Sequence, residues 1–409
     1  MMNQYDLIVI GGGASGLIAA ITAAERGAKV LVLEKNDRIG RKILASGNGR
    51  CNMLNVSQKV YYGDEAFAEK VLDLCPAKQI ISFFNYYGLF TTEETDGRIY
   101  PVTYQAASVL NALKLALQIN HVEICKQCTV LKIQKEHDLF YVFTENQQCF
   151  SSTQIVVSCG GSACQKLGGS PFGYQLLESM GHRIIPPFPA LVPIETDRKS
   201  ISGLSGIRVR CTVSVYQQQK FLHSESGELL FTDYGLSGIC IMQCSRFITE
   251  KAHVEIDFLS GIFPNEQEAF NEIKRRKQAF PEQSPLVLLD GLLPSKVAFA
   301  VLKQAGLKLL GEINSDIINT QLDNILYSAY HYKVQIYGNK GLDHAQVTGG
   351  GALCSEFNPA TMESFLVPGL YATGEVLNVD GDCGGYNLMF AFSSGMLSGK
   401  SIHLPSETG

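Results

Sequence analysis

The sequence predicts an α/β protein in which a Rossmann-type nucleotide-binding domain is interrupted by an antiparallel β domain and a helical subdomain. Residues 5–34 follow a strand, glycine turn, helix, strand pattern that ends in an acid. Residues 191–258 alternate between apolar and polar, as half-buried strands do. Residues 266–329 contain three helical stretches separated by prolines. These three observations give the fold class.

The length and charge of the chain narrow the classes of function. At 409 residues it exceeds one typical core. Its formal net charge of −5 argues against a general nucleic-acid or anionic-membrane binder, so we expect neither partner. No apolar run approaches a membrane span, and the first core strand begins within the first few residues. We expect a cytoplasmic enzyme that acts on a small molecule.

The first strand leads directly into Gly11-Gly12-Gly13-Ala14-Ser15-Gly16. Gly11 permits the tight turn, Gly13 lets a pyrophosphate approach the backbone, and Gly16 lets the helix pack closely on the sheet. The free N–H groups of Ala14 and Ser15 at the helix start attract phosphate. Glu34 closes the second strand and can accept hydrogen bonds from both ribose hydroxyls. The segment predicts a bound dinucleotide.

A basic, glycine-rich segment follows the ribose-binding strand. Arg41, Lys42 and Arg50 can neutralise phosphate or hold negative charge on a reduced flavin ring. Flavin disulfide reductases carry a cysteine pair at about this point, whereas only Cys51 is present here, so dithiol chemistry of that type is not expected. We expect contact with the cofactor from this segment, whose members are Lys35, Arg41, Lys42, Ser46, Gly47, Asn48, Arg50, Cys51 and Asn52.

Between this segment and the β domain, residues 66–88 read as one helix and residues 122–133 as one strand. Residues three apart on a strand point to opposite faces, so we expect Cys125 and Cys128 to form neither a disulfide nor a zinc site. No metal site is predicted. A further buried strand over 155–159 ends at Gly160, which we place at the cofactor crevice.

The composition changes at Pro186-Pro187-Phe188-Pro189, a domain exit. We assign residues 1–190 and 345–409 to the nucleotide-binding domain and residues 191–260 and 331–344 to the β domain. Residues 261–330 form the helical subdomain. Residues 235–247 are expected to form a helix within the β domain.

The closing stretch of the chain carries a second glycine-rich site. A strand over 370–373 ends in Gly374-Glu375, and a loop containing Asp380 leads to Gly384-Gly385-Tyr386-Asn387-Leu388. A mostly small and apolar helix over 389–401 follows. Its N-terminus can face the pyrimidine edge of a flavin, where negative charge develops on reduction.

Four segments together resemble the BaiN-type bacterial flavoproteins. They are residues 11–16, Ser46-Gly47-Asn48-Gly49-Arg50-Cys51-Asn52, residues 228–238, and Gly374-Glu375 with residues 384–388. The resemblance covers nearly the whole chain. It implies a glutathione-reductase-type FAD domain with a barrel-like insert and a helical insert. It also implies an FAD/NAD(P)-dependent oxidoreductase, with one branch of the family linked to 3-dehydro-bile-acid reduction.

The resemblance assigns parts of FAD to residues of this chain. Gly13 to Gly16 would take the pyrophosphate, Glu34 the ribose, and the backbone of Val130 the adenine. Arg41, Lys42, Gly47, Arg50 and Asn52 would meet the centre of FAD, Gly374-Glu375 the ribityl chain, and Gly385 to Leu388 the isoalloxazine. The family commonly differs at Gly349, Ala352, Cys383 and Met389, which leaves substrate choice and redox tuning open.

The leading hypothesis is therefore an FAD oxidoreductase that reduces an activated C=C bond in a small organic substrate. NAD(P)H would dock transiently, since only one full fingerprint is present. Arg98, Tyr100, Asp233 and Tyr386 are candidates for substrate contact or proton donation, and no catalytic residue is assigned. An amine or aminoketone oxidase using O₂ and a flavin-dependent RNA-modifying protein are the alternatives. The substrate, the choice between NADH and NADPH, and the oligomeric state stay open.

Overall fold

The computed structural model of the protein describes residues 4–57, 60–248, 251–307, 309, 311 and 313–404. The chain divides into two compact units, which we take separately. Unit 1 comprises Met1–Pro189 and Gln346–Gly409, and unit 2 comprises Ala190–Ala345. The sequence placed the domain limits at residues 190/191 and 344/345.

Strands and helices are numbered along the chain. The strands are β1 (Gln4–Ile10), β2 (Val30–Glu34), β3 (Leu54–Asn55), β4 (Tyr61–Gly63), β5 (Thr91–Glu93), β6 (Arg98–Pro101), β7 (Glu123–Lys126), β8 (Val130–Glu136), β9 (Leu139–Thr144), β10 (Cys149–Val157), β11 (Ile184–Ala190), β12 (Ile194–Thr196), β13 (Arg208–Gln217), β14 (Lys220–Phe231), β15 (Gly235–Ser237), β16 (Ala252–Asp257), β17 (Tyr332–Asn339), β18 (Val347–Ala352), β19 (Leu370–Ala372) and β20 (Val379–Gly381). The α-helices are α1 (Ala14–Ala24), α2 (Arg41–Ala45), α3 (Glu65–Leu74), α4 (Ala77–Tyr86), α5 (Ala106–Ile119), α6 (Phe172–Ser179), α7 (Ile239–Cys244), α8 (Glu266–Ala279), α9 (Ser295–Gln304), α10 (Asn319–Tyr330) and α11 (Tyr386–Ser401).

Unit 1 is built on a sheet with the order β7-β2-β1-β10-β9-β8, and β19 also pairs with β10. Strands β7, β2, β1, β10 and β19 run parallel, whereas β9 pairs antiparallel with β10 and β8. Strands β1 and β2 are almost continuous runs of buried aliphatic residues because helices cover both faces of a parallel sheet. The carboxyl ends of β1, β10 and β19 therefore lie side by side, which confirms the predicted α/β class.

Unit 2 contains a closed antiparallel barrel with the strand order β12-β15-β14-β13-β16-β17. Inward residues such as Val213, Val254 and Val334 are fully buried and form its core. Helices α8, α9 and α10 bring further buried side chains into the same core. This matches the predicted antiparallel and helical parts. The expected helix over 235–247 is shorter, because residues 235–237 form β15 and the helix begins at Ile239.

Two predictions from the sequence are wrong in detail. The helix expected over 66–88 is divided into α3 and α4 at Cys75-Pro76, where proline removes a backbone donor. The strand expected over 122–133 ends at Lys126 because Gln127 adopts a left-handed conformation with φ +53°. The opposite-face argument for Cys125 and Cys128 therefore fails, and burial, with a smaller contribution from the Cys125 thiol, raises the pKa of Cys128 to about 12.

No helix among the described residues is long and apolar enough to cross a membrane.

Helices α1 and α11 pack unusually closely because α11 presents glycine to α1. A Cβ on Gly395 would lie 2.2 Å from the Ser15 carbonyl oxygen, and one on Gly399 would lie 2.5 Å from that of Ala19. Ser394 adds a hydrogen bond from the Gly374 amide to its Oγ, at 3.0 Å. The position of α1, and with it the glycine turn, is thereby fixed by backbone contact.

We expect Gly395→Ala to lower the free energy of unfolding by about 1–3 kcal/mol, since the methyl group meets a backbone oxygen that cannot move aside. Helix propensity alone would favour alanine by about 1 kcal/mol. Urea denaturation measures the change. Gly261→Ala is the control, because a Cβ at Gly261 meets nothing within 4 Å. A more stable Gly395→Ala protein would contradict the packing argument.

Candidate functional site

The turn after β1 is closed on one side by backbone. Gly11 has φ +109°, and its amide donates to the Leu33 carbonyl at 2.9 Å. A Cβ on Gly11 would lie 2.4 Å from the Ser158 carbonyl oxygen, and a Cβ on Gly16 would lie 2.1 Å from that of Gly11. Ser158 Oγ lies 2.9 Å from the Ile10 carbonyl oxygen and 3.0 Å from that of Gly11. Neither glycine tolerates a side chain, as the sequence predicted.

The other side of the turn is open. A Cβ on Gly13 would meet no described atom within 4 Å. Gly13 is the N-cap of α1, its cap has no side-chain hydrogen bond, and the first turn contains no acidic residue. The N–H groups of Ala14, Ser15 and Gly16 precede the first intrahelical donor, so they are available to an external acceptor. We call residues 13–16 the phosphate cradle; its chemistry fits an anion.

Glu34 lies at the side of the turn. It is 7% exposed, and its Oε2 accepts a hydrogen bond from the Gly12 amide at 2.8 Å. Its Oε1 accepts from the Asn36 amide at 2.8 Å and from Asn36 Nδ2 at 2.5 Å. Arg41 donates to Asn36 Oδ1 at 2.8 Å and to the Lys166 carbonyl at 3.0 Å. The carboxylate is thus held in place by three of its about four lone-pair sites, which leaves one on Oε2 for a ribose hydroxyl.

Lys42 belongs to a network that joins four separate segments. Its Nζ lies 3.3 Å from Glu375 Oε2, and Glu375 Oε1 accepts from the Thr348 amide at 2.8 Å. Thr348 Oγ1 then accepts from the Ala163 amide at 2.8 Å. The sequence placed Lys42 and Glu375 near one ligand; the structure joins them directly. Thr348 was missed, because only its long-range partners distinguish it from any strand threonine.

The segment 46–52 turns sharply through left-handed residues. Gly47, Asn48 and Cys51 have φ +55°, +54° and +57°. Ser46 Oγ donates to the Ile43 carbonyl at 2.6 Å, whereas Arg50 is exposed. Burial raises the pKa of the Cys51 thiol to about 11, so it stays protonated and unreactive at neutral pH.

Asn52 and Gly385 come together across the unit. Asn52 is buried, and its Oδ1 has no hydrogen-bond partner among the described residues. A Cβ on Gly385 would lie 2.7 Å from that oxygen. A buried oxygen without a donor costs about 1–3 kcal/mol, so it marks a place where a ligand donor fits.

Gly385 is also the N-cap of α11, with φ +103°, and this helix too has neither a side-chain cap nor an acid in its first turn. The helix begins at Tyr386, three residues before the predicted start. The Tyr386 hydroxyl lies 2.9 Å from Ser57 Oγ, and its carbonyl accepts from the Tyr61 hydroxyl at 2.9 Å. Asn387 is occupied within the chain, since its side chain bonds the Gly381 amide and carbonyl at 2.8 and 2.7 Å.

The other predicted site residues are distributed around these features. Gly160 and Gly374 end β10 and β19 with φ +70° and +72°, and a Cβ on Gly374 would lie 2.7 Å from Ser15 Oγ. Asp380 is buried within β20, Val130 opens β8, Leu388 is half-buried and Lys35 is exposed.

The four candidates for substrate contact do not share one environment. Arg98 forms an ion pair with Asp96 at 3.1 Å, and Tyr100 is buried with its ring 5.4 Å from Tyr104. Asp233 is an exposed residue of unit 2, between β14 and β15. Arg98 and Tyr386 nevertheless both border the N-terminus of α11, because a Cβ on Gly384 would lie 3.3 Å from Arg98 Nε and 3.8 Å from Tyr386 Cε2.

These features fit FAD. The phosphate cradle suits the pyrophosphate, Glu34 the adenosine ribose, and the partnerless Asn52 oxygen and the uncapped start of α11 suit the polar edge of the flavin ring. Gly13 and Gly160 leave open space beside the backbone.

Comparison with known proteins agrees with this geometry. A family model described as the HI0933-like protein Rossmann domain matches residues 5–401. The 3-dehydro-bile acid delta(4,6)-reductase of Clostridium scindens is 35% identical over 412 residues, which cover 98% of this chain and 99% of the relative. The ribosomal RNA dihydrouridine synthase of Haemophilus influenzae is 33% identical and likewise covers 98% and 99%.

Among solved structures, 3-ketosteroid-delta4-(5alpha)-dehydrogenase from Rhodococcus jostii RHA1 matches with a TM-score of 0.50 at 15% identity. The match covers 98% of this chain and 96% of that one. Together with the family match, this shared fold confirms the predicted Rossmann-type FAD-binding architecture with its antiparallel insert.

We expect Gly13→Asp to weaken FAD binding by more than about tenfold, because it places a carboxylate where the cradle attracts an anion. Fluorescence titration of the apoprotein with FAD measures the affinity. The fold should persist, since the site has open space. Gly261→Asp introduces the same charge at another open glycine and should bind FAD normally. Unchanged affinity in Gly13→Asp would refute the cradle assignment.

Proposed function

The chain belongs to the HI0933-like Rossmann-domain family of FAD-dependent oxidoreductases, and on this premise we propose that it reduces a C=C bond conjugated to a carbonyl group. The observation that carries the proposal is the uncapped, open phosphate cradle in a chain with near-full-length relatives that are named for such reductions. A delta(4,6)-reductase acts on ring double bonds, and dihydrouridine is uridine with its C5=C6 bond reduced.

The protein side of the reaction consists of binding and positioning. Bound FAD supplies the hydride chemistry. Residues 13–16 hold the pyrophosphate, Glu34 the ribose, and Lys42 with Glu375 fixes the loop that follows β19. The start of α11 favours negative charge at the ring edge. NAD(P)H is the proposed donor, docking without a domain of its own.

The first candidate substrate is a small enone, such as a 3-oxo-4,6-diene steroid. It is supported by the 35% identical relative, which acts on a 3-dehydro-bile acid by name.

The second candidate is a uracil base in ribosomal RNA. The 33% identical relative from Haemophilus influenzae and a 30% identical one from Escherichia coli, which covers 96% of this chain, both carry that activity in their names. Both candidates require reduction of a C=C bond conjugated to a carbonyl group. In the first the bond lies in a free small molecule, and in the second it lies in a base of an RNA chain.

Anaerobic addition of NADH or NADPH to the flavin-loaded protein should bleach the flavin absorbance. Adding the dienone or unmodified ribosomal RNA transcript should then restore the oxidised spectrum with only one of them. Mass spectrometry of the steroid or of the digested nucleosides should detect a gain of two hydrogens. The Gly13→Asp protein, which we expect to bind FAD weakly, is the control and should reduce neither substrate.

Absence of bleaching with either nicotinamide would refute the donor. Bleaching without reoxidation by either substrate would refute both substrate candidates. Peroxide formation from an amine without nicotinamide would support the oxidase alternative instead.

A further inference from the structure

A row of four side chains, three of them aromatic, crosses four neighbouring strands of the unit 2 barrel. Phe221 on β14 pairs with Tyr216 on β13, Tyr216 pairs with His253 on β16, and His253 pairs with Gln335 on β17. The ring centroids of Phe221 and Tyr216 lie 5.8 Å apart at 70°, and those of Tyr216 and His253 lie 5.5 Å apart at 15°. We call these four residues the aromatic row; His253 is only 6% exposed and Gln335 carries an amide, so Phe221 and the half-buried Tyr216 are the rings that a base can reach.

The row faces outward because its neighbours along each strand face the core. Val215, Val254 and Ile336 are buried at 0–4% exposure, and strand residues alternate between faces. Phe221 is 52% exposed, and Tyr337, two residues beyond Gln335 on the same face, is 74% exposed.

Positively charged side chains lie at both ends of the aromatic row. Lys220 precedes Phe221 and is exposed. At the other end Asp197 pairs through its backbone with Gln335, and the next two residues, Arg198 and Lys199, are exposed. Lys333, two residues before Gln335 on the same outer face, is exposed as well.

The acids beside the row are already engaged. Asp197 accepts hydrogen bonds from the Ser200 amide at 2.8 Å and the Gln335 amide at 3.1 Å. Glu255 lies 3.0 Å from His331 Nδ1 and 3.6 Å from His253 Nε2. These two carboxylates keep their charge, but the four cations named above outnumber them, so the local surface is positively charged although the whole chain carries −5.

We propose that the aromatic row and its flanking cations bind single-stranded RNA, with bases stacked on the rings and phosphates on the lysines and arginine. Stacking on sheet aromatics between basic residues is how many single-strand binders work. Three strand spacings give about 14 Å, enough for a few nucleotides. Lysine is depleted in protein–protein interfaces, which argues against a protein partner.

This inference rests on the second substrate candidate of the proposed function, RNA, and overrides the expectation from net charge that no nucleic acid is bound. Net charge averages over the chain, whereas an RNA strand meets only the local surface.

Fluorescence anisotropy of a labelled single-stranded oligouridylate with the flavin-loaded protein tests the surface. Phe221→Ala and Tyr216→Ala should each weaken binding roughly tenfold or more, while Tyr216→Phe should bind as the unmodified protein does. Arg198→Gln and Lys333→Gln should each lower the slope of log K against log salt by about 0.7.

Tyr86→Ala and Lys274→Gln, which alter an exposed ring and an exposed cation elsewhere, are matched controls and should change nothing. Bleaching of the flavin by NAD(P)H in the same samples reports the reductase function separately. If the flavin bleaches normally but RNA does not bind, or binds equally to all variants, the RNA-binding role of this surface is refuted. The reductase proposal would then still stand.

Discussion

The close approach of backbone to backbone around the first turn of α1 is the constraint on which unit 1 depends. The Ser158 carbonyl lies against Gly11, the Gly374 loop against Ser15, and Gly395 of α11 against the Ser15 carbonyl. Each contact leaves no room for a Cβ. The ends of β10 and β19 and the helix α11 therefore crowd the turn, and the open side that remains is at Gly13. The phosphate site is the side of the turn that these contacts leave open.

The same crowding explains why the site is assembled from distant parts of the chain. Lys42, Glu375, Thr348 and Ala163 form one connected set of polar contacts. Removing the Glu375 carboxylate would leave the Thr348 amide without its acceptor, a loss of about 1–3 kcal/mol for a buried group. Asn52 and Gly385 meet in the same way. The cofactor region is thus as much a product of tertiary packing as of the glycine fingerprint.

Sequence reasoning succeeded where the chemistry is local. The turn at Gly11, the acid at Glu34 and the alternation of β13 and β16 each follow from residues adjacent in sequence. The helix break at Pro76 also has a local signal, the proline itself, although one continuous helix was predicted there. The contacts of Thr348, in contrast, depend on Ala163 and Glu375, which only the fold brings near. The left-handed Gln127 likewise has no sequence signal, and it misled the account of Cys125 and Cys128.

The central claim is that the open first turn of α1 holds the pyrophosphate of FAD. A crystal structure of the flavin-loaded protein tests it most directly. The account predicts that pyrophosphate oxygens accept hydrogen bonds from the amides of residues 14–16, with the flavin ring beside Asn52 and Gly385. FAD bound with its pyrophosphate away from α1 would contradict it.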